Sequence, residues 1–501
     1  MSDSTLIRPH QLIRASAGSG KTYRLVRRLI GLLADAEAPE SILAATFSRK
    51  AAGEFRKKLL QAVAGAVTDS RKATDLAAEI EHPEWNSSDF QNLLAQLVRD
   101  PDSLRLSTID AFFFELVGLF RFELGLGTQI TLGDETADSF DMRDLLRRIF
   151  ASATEEVRQA IFHLIEEDRS SESVRSFQTV LEEWISKALD LYRSTPDGRC
   201  WGILPSGVQL EKVTGEEWAL RLGRLEDALA HQTIPPESAD SIRQLLEDLS
   251  QWDLSPTLSG EPQKWIKAGA KDAEKLAAGK KYFVINRKRV TLEPETGEAL
   301  IELARLFHSN SVSVAVSNTR GAHQFIEMFA KEYDKRRLRS GFIRFGDLPY
   351  LLTALETVEG AMLAYRLDAR IKHWLLDEFQ DTSRSQWQVV HPLIDELFFD
   401  AEENRSFFCV GDPKQAIYGW RQGDSRLFEE IRERYQDFEP RPLETTSIAK
   451  TYRCAPEIIS FTNKLFGSPD SFPEDLSPRV VERWLATWRT HESARTDATG
   501  H

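Results

Sequence analysis

The run Ala15-Ser16-Ala17-Gly18-Ser19-Gly20-Lys21-Thr22 has the residue types and spacing of a loop that cradles phosphates. Glycines let successive backbone N–H groups turn toward one anion, and a helix N-terminus behind them adds its dipole. Lys21 can then reach the β- and γ-phosphates of a nucleotide, and the Thr22 hydroxyl can hold Mg²⁺. Ala15 stands where such loops often begin with glycine. The same eight residues could also form an ordinary glycine-rich turn, so the flanks decide. Leu12-Ile13 before the loop can be a strand, and after it Leu25, Val26, Leu29, Ile30 and Leu33 recur at helical spacing. Strand, loop and helix is the context phosphate binding requires.

A phosphate loop needs acidic partners to hold the metal and orient a water. Trp374-Leu375-Leu376-Asp377-Glu378 ends a strand-like run in two carboxylates. Asp377 can take Mg²⁺ and Glu378 can polarise the attacking water. Taken alone, the pair fits two solvated acids at a strand end equally well.

The elements that must position these groups fall into four regions. Residues 1–130 alternate strand-like runs and helices, an α/β pattern. Ile42–Phe47 and Leu104–Ile109 read as strands, and Ala51–Val63 as a helix. Residues 131–335 read as long, charged, amphipathic helices, with Tyr282–Asn286 the strand-like exception. From 336 to 445 the α/β pattern returns, with His373–Asp377 and Phe407–Gly411 as buried strands. Residues 446–501 begin a further unit, and the polar stretch Arg489–His501 is expected to fray.

Composition bounds the function class. A chain of 501 residues is expected to hold more than one domain. It has no apolar run long enough for a membrane span and no basic-then-apolar leader at its start, so a cytoplasmic protein is expected. Cys200, Cys409 and Cys454 are too scattered for a disulfide framework or a zinc site. A net charge of −14 argues against a uniformly basic nucleic-acid binder but leaves room for a local basic groove.

Beyond the two acids comes the block Asp377-Glu378-Phe379-Gln380-Asp381-Thr382, then Val410-Gly411-Asp412-Pro413-Lys414-Gln415-Ala416-Ile417-Tyr418-Gly419-Trp420-Arg421. Together these resemble motifs II and III of the UvrD/Rep family of superfamily 1 DNA helicases. Thr46-Phe47-Ser48-Arg49-Lys50-Ala51-Ala52 is similar to motif Ia, and Ser107-Thr108-Ile109-Asp110-Ala111-Phe112 to motif Ib. Phe345-Gly346-Asp347-Leu348 resembles the short block before motif II, and Thr451-Tyr452-Arg453-Cys454 resembles motif IV. The order is the family's, over roughly residues 10–130 and 330–465.

The resemblance implies a RecA-like P-loop NTPase domain, a parallel sheet flanked by helices. A large, mainly helical insertion and a short start of a second RecA-like domain complete the implied α/β fold. It also implies ATP and Mg²⁺ as cofactors, bound by Ala15, Ser16, Ala17, Gly18, Ser19, Gly20, Lys21 and Thr22, with Tyr452 against the adenine. Thr22 and Asp377 would hold the metal, and Glu378 the water. Gln415 would sense the γ-phosphate and Arg453 would approach it from the second domain. Single-stranded DNA would run over Thr46, Phe47, Arg49, Lys50, Trp420 and Arg421. A base stacked on Trp420 would gain about 1–3 kcal/mol whatever its identity, which suits a motor that steps along any sequence.

Departures from the family pattern are Asp110 for a common His, Arg49 for a common Asn, and Gln422 after the motif III aromatic. Gln11 is the candidate before the loop for a residue that reads adenine. Asp377 lies 356 positions after Lys21, a long interval that resembles the RecB and AddA branch of helicase–nuclease motor subunits.

Within the insertion, the window 264–289 holds nine basic and two acidic residues. It fits a contact to the phosphates of duplex DNA ahead of a fork, and nearly as well a solvated helix face. Only 48 residues follow Arg453, without a recognisable motif V or VI. The expectation is therefore either a helicase motor, by family analogy 3′→5′ and acting in repair or recombination with a helicase–nuclease partner subunit, or an ATP- and DNA-binding module without unwinding of its own. A P-loop kinase is disfavoured by the Gln415–Trp420 block and the motif order.

Overall fold

Six short strands lie side by side, all parallel, in the order Glu444–Ile448, Gln11–Ala15, Ser406–Gly411, His373–Leu376, Ile42–Thr46 and Arg105–Thr108. The four inner strands are apolar-rich, and Ile42–Thr46, His373–Leu376 and Ser406–Gly411 are buried throughout because helices cover both faces. The two edge strands are polar and more exposed. The structure is a computed structural model that describes residues 7–133, 139–169, 176–355, 371–399, 404–417, 419, 423–473 and 476–495. It divides into one unit of residues 1–135 and 338–501 and another of residues 136–337.

Alternation along the strands splits the first unit's core in two. Leu12, Leu43, Trp374, Leu376 and Phe407 face a cluster built with Ile109–Leu119, Arg384–Phe399 and Leu427–Tyr435. Ile13, Ala44, Leu375, Phe408 and Val410 face the other, built with Lys21–Ala34, Arg49–Thr68, Ser70–Glu79 and Ser87–Arg99. Helix starts follow their caps: Ser48 accepts from Ala51 N–H, Thr108 from Ala111 N–H, and Asn86 forms a capping box with Asp89.

His10, just before the first strand, is fully buried. Its Nδ1 accepts from Phe407 N–H at 3.1 Å, and its ring stacks on Phe398. Burial, then the charges of Arg441 and Arg28, pull its pKa down to about 3 from 6.5. Between those values the unfolded chain binds a proton that the folded chain does not, so stability falls as pH falls. Going from pH 6.5 to 5 should cost about 1.6 kcal/mol through His10, because the unfolded imidazole is already half protonated at pH 6.5. Urea denaturation at each pH should show this slope, and His10→Leu should flatten it by that amount.

The second unit is helical, as its charge and apolar spacing predict. Its helices pack along Pro294–Ser340, which belongs to this unit up to Arg337. Phe325, Ile326 and Phe329 of that helix close one core with residues such as Leu145, Ile161 and Ile185. Leu300 and Leu303 close another with Trp218, Leu225 and Trp265. The strand read at Tyr282–Asn286 is one arm of a hairpin, Tyr282–Ile285 against Lys288–Thr291, turned by Asn286 and Arg287 in left-handed conformation.

The polar stretch from Arg489 is not frayed where the structure describes it. Glu492–Ser493 pairs in parallel with Lys450–Thr451, and Asn463 exchanges hydrogen bonds with the backbone of His491. These partners are polar, so an apolar pattern could not reveal them. The strand Glu444–Ile448 straddles the boundary read near 446 and completes the first unit's sheet edge.

Candidate nucleotide site

All the loops that carry chemistry leave the same, carboxyl edge of the sheet, where α/β folds place their ligands. The strand Gln11–Ala15 runs into the glycine loop. Gly18 and Gly20 have φ of 74° and 91°, a region that favours glycine. Ser19 folds back on Ser16, its N–H and hydroxyl both donating to Ser16 O. Helix Lys21–Ala34 then begins at Gly20 with no side-chain cap and no acid in its first turn. Its leading N–H groups are thus left for an anion. Ala17, Gly18, Gly20, Lys21 and Thr22 line a cavity of about 900 Å³. Ala15, Ser16 and Ser19 are buried and support the loop from behind.

Across the cavity, His373–Leu376 ends in Asp377 and Glu378. Glu378 is held at φ 51°, a conformation that costs a non-glycine residue energy and recurs at functional turns. Lys21 Nζ donates to Glu378 Oε2 at 2.6 Å. Burial, then the charge of Glu378, pushes the Asp377 carboxyl up to about 6, with Lys21 pulling the other way. Asp381 is pushed up to about 6 for the same reasons. Asp377 is half-buried and stands outside the cavity lining, directly before Glu378, while Thr22 lines the cavity. The Asp377 carboxylate and the Thr22 hydroxyl are hard oxygen donors of the kind that Mg²⁺ takes.

The strand Ser406–Gly411 contributes the third wall. Asp412 accepts Gln415 Nε2 at 2.6 Å, and Gln415 lines the cavity. Lys414 turns the other way: its Nζ lies 3.0 Å from both Ser16 Oγ and His491 Nε2, and burial lowers its pKa. The fourth wall is Thr451–Arg453, bonded to the loop itself. Thr451 Oγ1 donates to Ala17 O at 3.0 Å and Tyr452 N–H to Gly18 O at 2.9 Å. A Cβ at position 18 would lie 2.5 Å from Arg453 Cβ, so this approach admits only glycine. Four separate segments therefore meet at one cavity lined by Lys21, Thr22, Glu378, Gln415 and Arg453.

The family profile of the UvrD/REP helicase N-terminal domain matches residues 3–436. The chain belongs to this family. It is 24% identical over 500 residues to the A subunit of an ATP-dependent helicase/nuclease from Desulforamulus reducens, covering 91% of this chain and 37% of that protein. It is 25% identical over 512 residues to the protein of the same name in Lysinibacillus sphaericus, at 91% and 38% coverage. It is 24% identical over 497 residues to the exonuclease/helicase subunit RexA of Lactococcus lactis subsp. cremoris, again at 91% and 38%. The chain thus spans less than two-fifths of the length of these relatives. No helix among the described residues is long and apolar enough to cross a membrane.

Within this UvrD/REP domain, several expected residues stand elsewhere. Gln11 sits at the far end of its strand and bonds Glu444 at 3.2 Å, so the structure does not bring it to the cavity. Tyr452 reaches the loop through its backbone, while its exposed ring is outside the cavity lining. The aromatic that lines the cavity is Tyr23, with the Arg27 guanidinium 3.8 Å from its ring centre and Glu79 bonded to both. The signal for that pair was its spacing of four on the helix after Thr22.

Thr46 is buried and its hydroxyl donates to Ser48 O; Phe47 is half-buried, and Arg49 and Lys50 are exposed at the start of the next helix. Asp110 accepts from Gln386 at 2.8 Å. Trp420, Arg421 and Gln422 lie outside the described residues.

Proposed function

We propose that this UvrD/REP domain binds ATP with Mg²⁺ in the cavity described above and uses hydrolysis to move on single-stranded DNA and open duplex ahead of it. The convergence of Lys21, Thr22, Glu378, Gln415 and Arg453 on one cavity carries this reading. Main-chain N–H groups of Gly18 to Thr22 and the Lys21 ammonium bind the phosphates, and the Tyr23 ring offers the base a face to stack on. Thr22 and Asp377 would hold Mg²⁺, which when bound neutralises phosphate charge. Glu378 takes a proton from the attacking water once Lys21 has turned to the phosphates. Gln415 and Arg453 face the γ-phosphate. Polarity 3′→5′, a role in DNA repair or recombination, a cytoplasmic location and a helicase–nuclease partner subunit complete the proposal by analogy with the relatives.

A second reading is a nucleotide- and DNA-binding module without unwinding of its own. Its support is the exposed apolar face Ile458, Phe461 and Leu465 on helix Pro456–Gly467, beside a helix, Pro478–Thr487, with no buried residue. That surface suits further polypeptide packed against it. Strand displacement on duplexes with a 3′ or a 5′ single-stranded tail separates the two. Unwinding from the 3′ tail supports the motor, nucleotide and DNA binding without unwinding supports the module, and no nucleotide binding refutes both.

We propose duplex contact for the basic window as well, with fewer charges than its composition suggests. Asp272 pairs with Lys275 and Lys281, Glu261 with Lys264, and Glu237 with Lys288. Among the described residues Lys267, Lys271, Lys280 and Arg287 carry no ion pair, and Arg289 lies over the Tyr282 ring. Charge reversal at Lys280, Arg287 and Arg289 should weaken duplex binding and reduce its salt slope by about 0.9 for each phosphate no longer neutralised. An unchanged slope in fluorescence anisotropy titrations refutes the proposed duplex binding.

A further inference from the structure

Gln380 is buried, touches neither the cavity nor the surface, and joins two of the cavity's walls. Its Nε2 donates to Glu378 Oε2 at 2.8 Å and stands 3.5 Å from Asp381 Oδ2. Its Oε1 accepts Asp412 N–H at 2.9 Å. Asp412 in turn accepts Gln415 Nε2. Glu378 and Gln415 both face the cavity, so the two ends of one hydrogen-bonded string look at the same space. The string has no slack. A Cβ at Gly411 would lie 2.5 Å from Gln380 Oε1 and 2.8 Å from the Phe428 ring. Gln380 therefore cannot move independently of the strand end that carries Asp412.

From this we infer that Gln380 is a positioning residue that locks Glu378 to the Asp412–Gln415 arm, so that the base and the arm respond to nucleotide as one body. The inference rests on the nucleotide reading above. Glu378 Oε2 is shared between Lys21 at 2.6 Å and Gln380 at 2.8 Å. Phosphates draw Lys21 away, and Gln380 becomes the donor that keeps the carboxylate aimed. Because its other end is bonded to Asp412 N–H, the change at Glu378 is felt at the arm. A carboxylate without that donor is free to rotate, and a misaimed base loses rate and not affinity.

The test compares the unaltered chain with Gln380→Met, which keeps the volume but removes both polar ends, and Gln380→Asn, an amide too short to span both partners. The probe is Mg·ATPγS, and hydrogen exchange is read on peptides covering 411–417. In the unaltered chain nucleotide should change exchange there. Both variants should bind the probe within about threefold of the unaltered chain yet lose that response, and kcat for ATP should fall at least about tenfold with KM kept. A merely structural role would alter exchange before nucleotide is added and leave the response intact. A variant that retains the response and the turnover overturns the inference, and Gln380→Asn decides alone if Gln380→Met does not fold. Failure of the unaltered chain to bind the probe would instead remove the nucleotide reading itself.

Discussion

Replacing Glu378 by glutamine should stop hydrolysis and at the same time tighten nucleotide binding. The two effects come from one oxygen. Glu378 Oε2 accepts from Lys21 at 2.6 Å, so the carboxylate competes with phosphate for the same ammonium. Lys21 is nearly buried and Glu378 about one-third exposed, which leaves the pair only partly screened. Glutamine keeps the shape, removes the charge and frees Lys21 for the phosphates. The expected gain is about 1.4 kcal/mol, or roughly tenfold in affinity. The same change removes the group placed to take a proton from water, for which a loss of about 100-fold or more in turnover is expected. Fluorescent ATP titration and steady-state hydrolysis measure both. Weaker binding in Glu378→Gln would show that the Lys21 pair does not oppose nucleotide, and hydrolysis at the unaltered rate would remove Glu378 from the chemistry.

That opposition could not be read from the sequence, although both residues could. The glycine loop, the acid pair and most strands were legible because each is contiguous and its signal is local: apolar runs, helical spacing, glycine where the backbone must turn. The partners are not local. Lys21 and Glu378 lie 357 positions apart, and Thr451 bonds Ala17 across 434. Gln380 was visible inside the acidic block, but its role depends on which strand lies next to it. Charge counting misled for a related reason. Lys281 counts as a free cation in composition, yet a hydrogen bond to Asp272 takes up much of it. Gln11 misled by direction, since a strand carries a residue only four positions before Ala15 to the opposite end of the sheet layer. The docked stretch around His491 was hidden because polar contacts hold it, and polarity in a sequence looks the same whether solvated or paired.

Lys21→Ala should cost more binding than its own hydrogen bonds, because of what it leaves behind. Asp377, Glu378 and Asp381 cluster at one strand end, and Lys21 is the cation that opposes the rise of both aspartates. Truncating it removes the phosphate's charged donor, worth about 3 kcal/mol or roughly 100-fold. It also leaves the phosphates facing carboxylates that have lost the ammonium bonded to Glu378, with Lys58 the remaining cation acting on Asp377. The helix should survive, since alanine at its first position is a good helix former. A fluorescent ATP titration should therefore show at least that roughly 100-fold loss in a variant that still folds, its unfolding midpoint lowered by the loss of the Lys21–Glu378 pair. The excess repulsion is separable from the lost bond. Adding Glu378→Gln to Lys21→Ala takes away one of the repelling charges but has no Lys21 to free. Its gain should therefore fall below the roughly tenfold expected of Glu378→Gln alone, and the two substitutions should not add. Affinity within about threefold of the unaltered chain in Lys21→Ala would place the phosphates elsewhere. Strict additivity in the double variant would mean that Lys21 and Glu378 act on nucleotide independently, against the 2.6 Å contact that joins them.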